Sequence, residues 1–232
     1  GGYNVAIGMN SLVTNVSASN NTAVGYNSLV ANTTGTLNTA VGKDSMDSNT
    51  TGSSNVALGT DSLQNNSTAS FNTAIGVGSL GTNSTGANNV AVGYYALLNS
   101  TTSDNNVAMG HSALRANNTG ADNTGIGYNA LTANTTGANN VAMGAAALDA
   151  NTTGSNNIAI GVHALTTATT ASSNTAVGKY ALEDTTTGHS NAAFGAESLK
   201  GNTTGLLNTA VGMSSLAAST TGQQNVAIGF SA

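Results

Sequence analysis

Few side chains in this sequence can do acid–base or metal chemistry, and their spacing keeps them apart. Histidine occurs only at His111, His163 and His189. On the 17-residue repeat described below, counted from Asn4, these fall at the sixth, seventh and sixteenth positions. Metal ligands in a stacked repeat share a position or sit at neighbouring positions of adjacent copies, so the three are read as solvent-facing. Asp44 and Asp61 do share the seventh position in successive copies, about 4.8 Å apart if the copies stack. They could hold a cation, but Asn10 and Asn27 precede them and Gly78 follows. Calcium-binding solenoids carry Asp in every copy of a Gly-rich nonapeptide, and that pattern is absent. A Ser-His-Asp triad can be drawn from any sequence this rich in serine and carries no weight without a nucleophile elbow. Nine acids scattered along the chain do not form the paired carboxylates of a glycosidase. The chain is therefore read as no enzyme, with no catalytic, cofactor-binding or metal-ligating residue and no cofactor.

Two sets of residues could serve recognition or modification instead. Tyr26, Tyr94, Tyr95 and Tyr128 share the sixth or seventh position, where they form a sugar-binding aromatic patch or simply cover a corner. Asn15, Asn32, Asn49, Asn66, Asn83, Asn117, Asn134, Asn151 and Asn202 each begin an Asn-x-Ser/Thr triplet at the twelfth position. In a glycosylating secretory pathway these would be acceptors on an exposed corner. Asn and Thr also suit turn geometry, which is the preferred reading.

Composition narrows the class of protein further. Charged residues make up 6% of the chain, where about 25% is typical. Only four residues are Lys or Arg, too few for a nucleic-acid groove. No run approaches the length of apolar sequence needed to span a bilayer, so no membrane insertion is expected. Cysteine is absent, so disulfides report nothing about redox compartment. Low charge with 39% apolar residues argues against disorder.

The elements that position these residues come from the repeat. Asn returns every 17 residues without insertion or deletion, at Asn4, Asn21, Asn38, Asn55, Asn72, Asn89, Asn106, Asn123, Asn140, Asn157, Asn174, Asn191, Asn208 and Asn225. Four residues after each stands a Gly. An unbroken period of this kind predicts stacked coils. The first five positions, as in Asn21-Thr22-Ala23-Val24-Gly25, read as a short strand. Period 2 puts positions 2 and 4 on one face and 3 and 5 on the other. Both faces are apolar or small, which predicts a strand covered on both sides, one by its own coil and one by another chain.

A second core stripe runs through position 9: Leu12, Leu29, Leu63, Leu80, Leu97, Leu114, Leu131, Leu148, Leu165, Leu182, Leu199 and Leu216, with Met46 in the remaining copy. Position 8 is only ever Ser or Ala. This stretch reads as a second strand or a single helical turn, the window being too short to choose. Asn32-Thr33-Thr34-Gly35 and its copies read as the closing turn. Position 14 is Thr in every copy after Ser17, which predicts a hydroxyl ladder.

The strand motif, as in Asn157-Ile158-Ala159-Ile160-Gly161, resembles the head repeats of YadA-type trimeric autotransporter adhesins. The longer form running from Asn123 to Gly137 is similar to repeats of phage-type tail fibres and giant surface proteins. The resemblance covers essentially the whole chain; this unit is longer by its Leu-x-x-Asn-Thr-Thr-Gly insert. It implies a parallel β-roll, three chains packed about an axis, a binding surface held away from an anchor, and no catalysis.

The expected fold is thus an all-β parallel β-solenoid of about 13–14 coils of 17 residues, with a second strand or a short helical turn in each coil, forming a single repeat domain over 1–232. Full-strength repeats at both ends, without polar caps, predict a segment of a longer homotrimeric fibre. The expected function is a rigid spacer, extracellular, on a cell surface or on a virion, that attaches to a host or surface. Its expected partners are further copies of itself and a surface glycan or protein receptor. The alternative is an ice-binding solenoid using its Thr ladders, although adjacent Thr33 and Thr34 at a turn should diverge.

Overall fold

The computed structural model describes residues 1–232. Two compact units are present, residues 1–119 and 120–232. Each is an all-β parallel solenoid of 17-residue coils, with one three-residue strand per coil. The first unit holds β1 (Val5–Ile7), β2 (Thr22–Val24), β3 (Thr39–Val41), β4 (Val56–Leu58), β5 (Thr73–Ile75), β6 (Val90–Val92) and β7 (Val107–Met109). The second holds β8 (Thr124–Ile126), β9 (Val141–Met143), β10 (Ile158–Ile160), β11 (Thr175–Val177), β12 (Ala192–Phe194), β13 (Thr209–Val211) and β14 (Val226–Ile228). Within each unit sequential strands pair in parallel, so that Ala23 faces Ala40 across β2 and β3, and Ala159 faces Ala176 across β10 and β11. The 17-residue register of the sequence is the register of the sheet.

The stretch around position 9 is neither a second strand nor a helical turn, and no helix forms anywhere in the chain. Positions 7 and 9 both lie in the left-handed region, as at Asn27 (φ 53°) and Leu29 (φ 50°). With every second residue reversed, the N–H groups of positions 7 and 9 turn to neighbouring coils, and others nearby close only isolated turn bonds to the carbonyl three residues back, as Asn32 N–H does to Leu29 O at 3.2 Å. Asn27 N–H donates to Met9 O of the preceding coil at 3.0 Å, and Leu29 N–H donates to Ser45 O of the following coil at 3.1 Å. A left-handed conformation costs an L-residue roughly 1–2 kcal/mol. Burial of the Leu side chain, worth about 1.5–3 kcal/mol, offsets that cost.

The core is narrow. Ala at position 3, Ser or Ala at position 8 and Leu or Met at position 9 are fully buried through the middle of both units. Position 4 is not in this core. Its Val-sized side chains share the outward face with position 2, so the large apolar residue of the strand looks away from its own coil.

Two buried Asn ladders complete the interior. At position 1, Asn38 N–H donates to Asn21 Oδ1 at 2.9 Å, while Asn38 Nδ2 crosses its own coil to Gly52 O at 2.8 Å. At position 12, Asn49 Nδ2 donates to Asn32 Oδ1 and Asn66 Nδ2 to Asn49 Oδ1, both at 2.8 Å. The same amides also bind the position-15 carbonyl of their own coil, as Asn66 does with Ala69 O at 3.0 Å. Asn32 and its equivalents from Asn49 to Asn202 are therefore sealed inside, not displayed on an exposed corner, and only Asn15 is partly open. Their Nδ2 atoms are already committed, so the folded chain offers no acceptor at these triplets.

The position-12 ladder stops where Asn is replaced. Asn83, Asn151 and Asn202 each have an Oδ1 without a donor, and the next coils carry Ser100, Ala168 and Ser219 there. A buried polar atom left without a partner costs about 1–3 kcal/mol. Ala168→Asn should supply the missing donor to Asn151 Oδ1, with Ala171 O as its second acceptor. Its expected effect is a stabilisation of about 1 kcal/mol, read as a raised midpoint in urea unfolding; an unchanged or lowered midpoint would contradict the ladder.

Candidate functional site

Most of the charged and tyrosine side chains are gathered in one stretch of the repeat. All four cations, Lys43, Arg115, Lys179 and Lys200, lie at positions 6 or 10. Seven of the nine acids, Asp44, Asp47, Asp61, Asp149, Glu183, Asp184 and Glu197, lie at positions 7, 10 or 11; the other two are Asp104 and Asp122. Five of the six tyrosines, Tyr26, Tyr94, Tyr95, Tyr128 and Tyr180, lie at positions 6 or 7. The left-handed residues at positions 7 and 9 cause this clustering. Reversal at position 9 turns Leu inward, which leaves its neighbours at 7 and 10 side by side on the outer wall.

Contacts along that wall are specific. In the second unit the rings of His163 and Tyr180 stack at 5.6 Å and 19°. Lys179 and Lys200 place their ammonium groups 4.6 and 5.1 Å from the Tyr180 centroid, and Lys200 pairs with Glu183 at 3.4 Å. That bond to Glu183 holds the Lys200 ammonium above its ordinary pKa. In the first unit Arg115 lies 5.6 Å from the Tyr95 centroid. Tyr94 packs against Tyr95 at 3.9 Å and stacks on His111 at 5.2 Å. The Tyr95 contact is also what raises the pKa of the Tyr94 hydroxyl.

Of the two seventh-position acids in successive coils, Asp44 ends a ladder of amides and the Asp61 carboxylate is not joined to it. Asn10 Nδ2 donates to Asn27 Oδ1 at 3.1 Å, and Asn27 Nδ2 donates to Asp44 Oδ1 at 2.9 Å. Lys43 closes this row on Asp44 at 2.6 Å, and that bond lowers the carboxyl below its usual range. Asp47 and Asp149 at position 10 are instead pushed up, chiefly by burial. No group of three or more His, Asp or Glu side chains converges as a metal site would require.

His111 and His189 are exposed, and His163 is partly covered by its stacking partner. The structure brings Tyr94, Tyr95 and His111 together, and it brings His163 to Tyr180, a tyrosine that sequence reasoning left out. The signal was available: Tyr180 and Tyr95 share position 7, and each is followed twenty residues on by a cation, Lys200 and Arg115. Comparison with family models, curated proteins and solved structures returns no match.

The threonine columns separate as their adjacency requires. Position-13 hydroxyls are turned back onto the wall, Thr33 Oγ1 donating to Thr50 O at 3.0 Å and Thr135 Oγ1 to Thr152 O at 2.9 Å. Position 14 is exposed, from Thr34 to Thr119 in one unit and from Thr136 to Thr221 in the other. The corner thus presents one exposed Thr column, not two in parallel.

Proposed function

We propose that this chain is a segment of a homotrimeric structural fibre, a rigid extracellular or virion-borne spacer with a variable corner that serves for attachment. One observation carries the proposal: the outward sheet face is apolar and uncovered. Along the second unit that face presents Val141, Met143, Ile158, Ile160, Val177 and Phe194 in successive coils. Ile158, Ile160 and Phe194 retain 39, 38 and 43% of their accessible surface. Soluble monomers rarely leave a contiguous apolar stripe of this kind open to water. A second copy would bury it without altering the coil, because position 3 and not position 4 fills the interior. The number three comes from the resemblance to trimeric adhesin heads, and the attachment role from the concentration of charged and tyrosine side chains on one wall, a one-faced display of the kind repeat proteins use for binding.

Native mass spectrometry tests this directly. The expected species is three times the 22.6 kDa chain. Paired substitutions Ile158→Lys and Ile160→Lys should convert it to a single-chain mass with the circular dichroism spectrum retained. Both side chains point out of the coil, and burying unpaired ammonium groups in an interface costs several kcal/mol. A parent protein that runs at the mass of one chain, with no larger species, would sink the proposal.

A further inference from the structure

The two tyrosine clusters are one arrangement in two states, filled in the second unit and open in the first. Tyr180 and Tyr95 both stand at position 7, each with a cation at position 10 of the next coil, Lys200 or Arg115. In the second unit the chain supplies the cluster's other two parts. His163, one coil before Tyr180, stacks on its ring, and Glu183 pairs with the cation. In the first unit the equivalent residues are Gly78 and Leu98, so these two positions supply neither a ring nor a carboxylate, and the ring packed on Tyr95 is Tyr94 of its own coil. Gly81 removes a third side chain, where the second unit has Thr166.

Room remains there. Tyr95 leans over Gly78, where an added Cβ would meet its Cδ1 and Cε1 at 2.6 Å, and Leu98 approaches Gly81. Beyond them lies a cavity of about 280 Å³ lined by Asp61, Gln64, Gly78, Gly81, Tyr95 and Arg115 among others. Asp61 makes no ion pair with any cation of the chain, and neither does Arg115. They belong to coils three apart, at opposite ends of the cavity.

The geometry points to this notch as a binding site for an acidic saccharide, a pyranose ring bearing a carboxylate. This deepens the attachment part of the proposed function and rests on it. The sugar would lie in the cavity beyond Gly78, laying its C–H face on the Tyr95 ring that lines it, an apolar contact of the kind His163 makes with Tyr180. The carboxylate would take the place of Glu183, meeting a guanidinium suited to planar, two-point recognition. Ring hydroxyls would fall at the far end, where Asp61 accepts and the Gln64 amide both donates and accepts. The cavity is of the size of a single sugar, near the lower limit of small-ligand pockets.

Saturation-transfer NMR on the intact chain tests the assignment with methyl glucuronide, methyl galacturonide, neutral methyl glucoside and N-acetylhistidine as probes. Transfer is expected to the ring protons of at least one uronide, with binding about tenfold weaker for the glucoside. Arg115→Gln should bring the uronide down to the level of the glucoside. Gly78→His combined with Gly81→Thr should abolish transfer, since it fills the notch with the residues the second unit carries at those positions. Tyr95→Ser should do the same, and Ser already occupies that position at Ser112 and Ser214. Circular dichroism and native mass establish that each variant still folds and assembles as the parent does. Silence from both uronides, equal response to the glucoside, preference for N-acetylhistidine, or full binding by the filled variant would each overturn the site. A silent notch in a protein that still self-associates would strike this inference and leave the fibre standing.

Discussion

Gly161→Ala is expected to cost more than about 3 kcal/mol and to melt the coils on either side of it. The position combines two penalties. Gly161 has φ 135°, and a Cβ there would lie 2.5 Å from Gly178 O, 2.6 Å from Gly178 C and 3.0 Å from Lys179 N. That backbone region is essentially restricted to glycine and costs other residues about 1–3 kcal/mol. The clash is with backbone of the next coil, which cannot swing aside as a side chain would. Gly137 at position 15 separates the two contributions. Its added Cβ would come closer still, 2.2 Å from Gly154 O, but its φ is not positive. The chain itself places Ala69, Ala171 and Ser103 at that position, so the wall yields where the backbone conformation allows a Cβ. Urea unfolding of the two variants decides the matter: Gly161→Ala should fall far below Gly137→Ala, and equal midpoints would remove φ from the explanation.

Much of the fold could be read from the sequence because stacking turns a linear period into a spatial register. The period located every strand and the inward Leu. What it left open was the direction of each face. Position 4 is large and apolar in every coil, and neither face of the strand carries a charged residue to mark the outside. The distinction lies in tolerance of size. Position 3 is Ala except at Gly125, whereas position 4 accepts Val, Ile, Leu, Met and Phe. A constant small residue marks the tight interior, and a variable large one marks a face not packed against its own coil.

The position-12 asparagines misled for a related reason. Asn-Thr-Thr-Gly has the composition of an exposed turn, and turn propensity cannot see a ladder formed between residues 17 apart. Its replacements tell more than its consensus: Ser100, Ala168, Thr185 and Ser219 are all small and uncharged. Positions 7 and 10 on the outer wall have collected charges, and position 12 has collected none. The notch was hidden similarly. Gly78 and Gly81 look like loop residues in one dimension and become an opening only when Asp61 and Tyr95 are placed one coil before and after.

These observations divide the coil into a fixed part and a free part with different physical demands. Positions 1, 3, 5, 9 and 12 supply ladder bonds, close backbone approach and core volume, and changes there propagate to neighbouring coils. Positions 6, 7, 10 and 11 meet solvent and can vary coil by coil without disturbing the stack. A surface assembled this way can place a ring, an acid and a cation at chosen coils of a rigid frame. That is why the aromatic and charged side chains gather on it although they are rare in the chain.

Position 9 provides the sharpest test of that division, through a substitution that looks conservative. Leu148→Val should destabilise the second unit by roughly 2–3 kcal/mol, more than its lost methylene explains. Leu148 is fully buried, with φ 53°. Shortening it removes about 0.8 kcal/mol of burial per CH₂, with a further contribution from the space left behind. The remainder comes from the backbone, because branching at Cβ makes a left-handed conformation an outlier where an unbranched Cβ is merely strained. The sequence agrees: position 9 carries Leu or Met throughout and never Val or Ile, although both are common at position 4. Leu148→Met should cost less than about 1.5 kcal/mol, since Met46 already occupies this position at φ 51°. Ile160→Val, also one methylene shorter but outside the left-handed region, should change coil stability little. If urea unfolding ranks Leu148→Val level with Leu148→Met, the left-handed backbone does not select the residue, and the Leu stripe reduces to ordinary core packing.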